Sequence, residues 1–86
     1  MKTTTDKTTE ERVRSVIVSE LGVDPRRIVA DARFIDDLGA DELDFIELIM
    51  AIEEEFGFEI DDNEADRLDA VGKLIAFVKE KTTRAP

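Results

Sequence analysis

Eighty-six residues make one small domain. The chain holds 22 acidic and 12 basic residues, a net charge of −10, so it lacks the Lys/Arg surface that nucleic-acid phosphates demand and is ill suited to anionic membranes. It has no Cys and no His, which excludes disulfides, thiol nucleophiles, Cys-ligated metals and Ser–His or Cys–His catalysis. Apolar residues are 42% of the chain, enough for a core, although a domain this size buries only about 60–65% of its unfolded surface. No apolar run approaches the roughly 18 residues of a membrane span, and no apolar signal segment opens the chain. A cytoplasmic monomer is expected, and a binding module rather than an enzyme.

Residues 1–7 are Thr-rich and aperiodic and read as a tail, as do residues 81–86; the domain is expected over 8–80. Thr8-Thr9-Glu10-Glu11 fits a capping box that opens the first helix, since the Thr8 hydroxyl and the Glu11 carboxylate can each accept from an unpaired amide. Val13, Val16, Ile17 and Leu21 follow at helical spacing, and Gly22 is a natural stop. Val23 to Gly39 is a long connection, with a short helical piece after Asp24-Pro25 and with Phe34, Ile35 and Leu38 as expected core anchors. The second helix is expected over Glu42–Phe56, capped by Asp41 and ended by Gly57. A short third helix or turn fits Asn63 to Leu68. A fourth starts after Asp69, with Val71, Leu74, Ile75 and Val78 as its stripe. Nothing alternates at period two. The fold class is all-α: a small antiparallel four-helix bundle with a long first loop and a short third helix.

The second helix carries most of the information. From Asp36 to Asp66 there are 14 acids and no Lys or Arg; the remainder has 8 acids against 12 bases, a net of +4. At about 100° per residue, Asp44, Glu47, Glu54 and Glu55 share a polar sector with Ala51. Phe45, Leu48, Ile49, Ile52 and Phe56 form one apolar sector, and Leu43, Ile46 and Met50 form a second. The whole apolar arc spans about 220°, roughly twice what a surface helix needs. Either the helix is buried nearly all round, or the Leu43–Ile46–Met50 stripe stays exposed beside the acids. An exposed aliphatic strip rimmed by carboxylates suits a basic partner.

Asp37-Leu38-Gly39-Ala40-Asp41-Glu42-Leu43-Asp44, then Glu47-Leu48-Ile49-Met50 and Glu53-Glu54-Glu55-Phe56, resembles the acyl carrier proteins of type II fatty-acid and polyketide synthesis. The likeness runs from about Thr9 to Val78, nearly all of the domain. It implies a carrier of lipid metabolism whose acyl chain rides on a phosphopantetheine arm esterified to a Ser at the start of the second helix. It also implies partner enzymes with Lys/Arg patches. The positions matching partner contacts are Asp41, Leu43, Asp44, Ile46, Glu47, Met50, Glu53 and Glu54, with Ile60 and Asp62 beyond the helix. Those matching the apolar acyl pocket are Phe34, Leu48, Ile52, Phe56, Ile60 and Leu68.

One departure matters. Where the family has Asp-Ser-Leu, this chain reads Asp41-Glu42-Leu43. A carboxylate cannot take up the arm as a stable phosphodiester, because that bond needs an alcohol oxygen. Ser15 and Ser19 lie in the first helix, and the Thr residues lie in or near the ends of the chain. As written, the chain is expected to carry no acyl group covalently and to hold no cofactor. It would act as an adaptor, regulator or decoy. Glu42 reads plainly as a first-turn acid favoured by the helix dipole, or as a partial imitation of the phosphate. Three origins stay open: a natural carrier-like paralogue, a carrier whose Ser was replaced to hold it unmodified, or a divergent structural acidic domain without carrier-type partners.

Asp36, Asp37, Asp41, Glu53, Asp61 and Asp62 could attract divalent cations weakly, but no loop has EF-hand spacing, and no metal site is expected. Like charges 7 Å apart repel by about 0.6 kcal/mol even in water, and many such pairs burden a marginal domain. Raised salt, or millimolar calcium or magnesium, is therefore expected to raise the melting temperature in calorimetry. An unchanged or lower value would argue against dense acid repulsion in the native state.

Overall fold

The computed structural model describes residues 8–83. Helix α1 spans Thr9–Leu21, α2 Glu42–Phe56, α3 Asp62–Asp66 and α4 Val71–Thr83, with a single 3-10 turn at Pro25–Arg27. Three of the four helices open on the same reciprocal device. Thr8 accepts from the Glu11 amide at 3.1 Å while Glu11 accepts from the Thr8 amide at 3.0 Å. Asp41 and Asp44 repeat this at α2, at 2.8 and 3.1 Å, and Asp61 and Glu64 at α3, at 2.8 and 3.2 Å. Each box serves two amides that a helix start leaves unpaired, and it puts carboxylate at the positive end of the dipole. Gly22 and Gly57 close α1 and α2 with φ of 66° and 78°, a left-handed turn that glycine adopts without a Cβ penalty.

The helices bury one contiguous core. Val13 and Ile17 of α1, Leu48, Ile49 and Ile52 of α2, and Val71, Leu74, Ile75 and Val78 of α4 meet there. Helix α1 packs on both α2 and α4. The connection from Val23 to Asp41 adds Ile28, Ala32, Phe34, Leu38 and Ala40, and the segment around α3 adds Ile60 and Leu68. No polar or charged side chain is buried among the described residues.

The long connection is stitched to the start of α4 by backbone. The Phe34 amide donates to Asp69 O at 3.1 Å, Val71 to Ala32 O at 2.9 Å and Gly72 to Ala30 O at 2.8 Å, around one antiparallel bridge between Arg33 and Ala70. The approach is close: a Cβ on Gly72 would lie 2.9 Å from Ala30 O. Arg14 donates to the Ile28 and Pro25 carbonyls, and Arg27 donates to the Asp37 carbonyl. The first loop therefore gains order from the rest of the fold, not from local propensity.

Three details depart from the sequence-based expectations. Ile35 is not an anchor; it is 52% exposed. The Asp37 and Leu38 amides both donate to Arg33 O at 3.0 Å, and the Asp37 carboxylate accepts from the Arg33 amide at 2.8 Å, which closes a tight turn. Only Phe34 and Leu38 of that turn point into the core. Helix α3 begins at Asp62 rather than Asn63, because Asp61 caps it, and Arg67 and Leu68 leave it in a turn. Helix α4 continues past residue 80 through Thr83, with the Thr82 hydroxyl donating to Val78 O at 2.9 Å and with Lys81 over the Phe77 ring at 5.4 Å. The tail expected at 1–7 and the last residues, 84–86, lie outside the described residues.

Adjacent residues of the first loop should thus behave oppositely. Phe34→Ala is expected to cost about 3–5 kcal/mol by loss of a fully buried ring. Ile35→Ala should stay within about 0.5 kcal/mol of the parent. Urea melts of the two variants check this contrast, and equal losses would contradict the turn's orientation.

Candidate functional site

Helix α2 has more apolar surface than its neighbours cover. Leu48, Ile49 and Ile52 are buried against the bundle, whereas Leu43, Ile46 and Met50 are 61%, 48% and 58% exposed. The helix is therefore not wrapped on all sides. Asp41, Glu42, Glu47 and Glu54 are exposed along the same helix, and Asp62 is exposed at the start of α3. Asp44 and Glu53 are half-buried and already hold backbone: Asp44 in the capping box, Glu53 accepting from the Ile60 amide at 2.7 Å. Their charge remains on the face although their geometry is set from within. Ile60 does not join this face. It is buried at 6% exposure, its amide held by Glu53, so its side chain belongs to the core alone.

The far end of α2 carries Glu53, Glu54 and Glu55 at the negative end of the helix dipole, an unfavourable placement. Arg12 offsets it. Its Nε meets Glu55 Oε2 at 3.0 Å, its Nη2 donates to Glu55 O at 3.0 Å, and its guanidinium lies 4.4 Å from the Phe56 ring centre. Both side chains of the ion pair are 40% exposed, so the pair acts mainly by orienting α1 on α2.

At the near end, Glu42 occupies the first helical position and is exposed. The cap amides are served by Asp41 and Asp44, so the Glu42 carboxylate is not needed to start the helix. Beside it lies a depression of about 720 Å³. Asp41 and Glu42 line one part, and Asp66 and Asp69 another. Phe34, Ala40 and Phe45 supply its apolar floor, and Ile35 stands at its rim. Arg33 is the one cation lining it among the described residues, 3.4 Å from Asp36 and 3.7 Å from Asp69. Lys73 Nζ meets Asp69 at 3.0 Å. That hydrogen bond from Lys73 is the main reason the Asp69 carboxyl lies below its ordinary value; desolvation opposes it, and the charges of Lys73 and Arg33 add to the lowering.

Among the described residues, no Ser or Thr lines this depression. Ser15 and Ser19 border a separate groove of about 370 Å³ with Arg12, Ala51 and Glu55, between α1 and α2. Of the residues matched to an acyl pocket, Phe34, Leu48, Ile52, Ile60 and Leu68 fall in one buried core, whereas Phe56 is half-buried beneath Arg12 and beside Phe58. Sequence reasoning placed Phe45 only on an apolar arc. Its signal was there to find: Ala40 and Phe45 flank the Asp41 cap at the two positions of a hydrophobic staple. Among the described residues, no group of three or more Asp, Glu, His or Cys is arranged to hold a metal ion. No helix among them is long and apolar enough to cross a membrane.

The family model described as "Phosphopantetheine attachment site" matches residues 11–78. An acyl carrier protein from Akkermansia muciniphila is 49% identical over 75 residues, which covers 87% of this chain and 94% of that protein.

Because the folded-state value of Asp69 is depressed, its contribution to stability is complete above its ordinary value of 3.8 and is lost as pH falls through the lower folded value. Thermal melts of the parent and Asp69→Asn should differ at neutral pH and converge in that acidic window. A difference that stays constant with pH would exclude the Arg33–Asp69–Lys73 linkage as its source.

Proposed function

The chain belongs to the acyl carrier protein family, whose members carry groups and do not catalyse, and on that premise we propose that it works as a docking member without a covalent cargo. Helix α2 is the docking element. Leu43, Ile46 and Met50 supply aliphatic contact area, and Asp41, Asp44, Glu47, Glu53 and Glu54, with Asp62 beyond the helix, meet Lys/Arg patches on lipid- or polyketide-synthesising enzymes. The acids steer encounter and set register, and the strip supplies contact area from which water is expelled. The observation that carries the reading is the exposure of that aliphatic strip within a segment, Asp36 to Asp66, that has no basic residue.

Phosphopantetheine is the family's cofactor. Position 42 stands where the sequence likeness puts the attachment residue, and it holds a carboxylate, which forms no stable phosphodiester with the arm. The separate groove around Ser15 and Ser19 supports the same reading, since those hydroxyls lie away from the α2 entrance. Such a member would occupy enzyme surfaces without delivering an acyl group, as an adaptor, regulator or decoy.

Two measurements test this. Incubation with a phosphopantetheinyl transferase and coenzyme A should leave the intact mass unchanged, and Glu42→Ser should gain one phosphopantetheine. A mass gain by the parent would overturn the non-carrying role. In pull-downs with such a transferase as the basic partner, Glu47→Lys and Ile46→Ala should each weaken capture. Undiminished capture by both would overturn docking through α2.

A further inference from the structure

We propose that Phe45 is a plug: together with Phe34 it closes the bundle's apolar interior off from the depression at residue 42, and so bars an alkyl chain from entering the core there. Phe45 sits one turn beyond Glu42 on α2, and the two share a helix face. Both line the depression. The apolar floor of that depression is Phe34, Ala40 and Phe45. Phe34 and Ala40 are members of the buried core, and Phe45 is partly buried against it. The floor is therefore the outer skin of the core itself.

The two rings meet across this skin, with centroids 5.7 Å apart and planes tilted by 42°. Phe34 is 1% exposed, while Phe45 is half-buried, so the pair straddles the boundary between depression and interior. Behind Phe45 on the same helix stand Ile49 and Ile52, four and seven residues on, with Leu48 beside them, all buried. Leu68, which follows the lining residue Asp66 by two positions and precedes Asp69, is also buried in the core. Past Phe45 and Phe34, the buried side chains of α2 are the aliphatic Leu48, Ile49 and Ile52. At Phe45 an alkyl chain meets a flat ring that Phe34 backs, on a floor that Ala40 shares. A chain tethered at residue 42 would begin directly above that ring. The shared helix face that makes residue 42 an entrance also sets Phe45 across it.

This goes beyond docking, and it is tested in two arms, of which only the first rests on the reading of position 42. In the first, octanoyl-phosphopantetheine is installed on Glu42→Ser and on Glu42→Ser/Phe45→Val by a phosphopantetheinyl transferase with octanoyl-coenzyme A, and thioester cleavage by hydroxylamine is timed. With Phe45 in place, cleavage should be as fast as for octanoyl-coenzyme A itself. In the double variant it should slow several-fold, as the chain withdraws into the core. Equal protection in both variants overturns the plug. Failure of Glu42→Ser to accept the arm overturns the reading of position 42 and leaves the plug to the second arm.

There, the chain with its Glu42 is titrated with octanol while the methyl resonances of Leu48, Ile52 and Leu68 are followed. They should shift saturably in Phe45→Val, but not in the parent. Nor should they shift in Phe77→Val, which trims a different ring packed against the core. Shifts of the same size in all three proteins, or in none while Phe45→Val is folded, overturn the proposal. Phe45→Leu, which keeps an aliphatic cover, carries both arms where Phe45→Val does not fold.

Discussion

Everything in this bundle turns on a mismatch: α2 has apolar surface around about 220° of its circumference, and a small domain cannot cover that much. Helix α1 covers one side through Val13 and Ile17. The long first connection covers another through Phe34 and Leu38, and this is why that connection is ordered despite having almost no secondary structure of its own. What remains uncovered is the Leu43–Ile46–Met50 strip. Exposed aliphatic surface is an aggregation hazard unless it is flanked by charge, and here carboxylates flank it.

The charge distribution has a structural side as well. Acids in the first turns of α1, α2 and α3 complement the helix dipoles and close capping boxes, so part of the acidic surplus serves folding. The acids at the end of α2 do not. Glu53 is turned inward to hold the Ile60 amide, and Glu55 is held by Arg12. Removal of either tie would leave like charges clustered beside unpaired carbonyls. The acidic face and the helix-end repairs thus draw on the same residues, and mutation of Glu53 would disturb both.

The entrance of α2 joins local chemistry to packing. Glu42 is dispensable to the cap, because Asp41 and Asp44 already serve its amides. It stands at the mouth of a depression whose five acids are only partly offset by one guanidinium, Arg33, and by Lys73 beside Asp69. Below them lies an aromatic pair. The α2 entrance therefore places a carboxylate and an aromatic ring on one helix face, and the proposed non-carrying role rests on these two features.

Much of this was legible from sequence alone, and the reason is range. Helix starts at Thr8 and Asp41, stops at Gly22 and Gly57, and the core stripe of α4 follow from contacts within four residues, which the order of residues encodes directly. The acidic segment and the carboxylate at position 42 are composition and need no fold. Other features depended on partners distant in the chain. Ile35 faces solvent because the turn from Arg33 to Leu38 is pinned against Asp69, and Ile60 is buried because Glu53 draws its amide in. Phe56 is drawn under Arg12, some forty residues earlier in the chain. Phe45 lies across a mouth whose opposite wall comes from Asp66 and Asp69. Such outcomes are decided by which of several apolar residues packs best into the shared interior, a competition for limited space that only the assembled tertiary structure resolves.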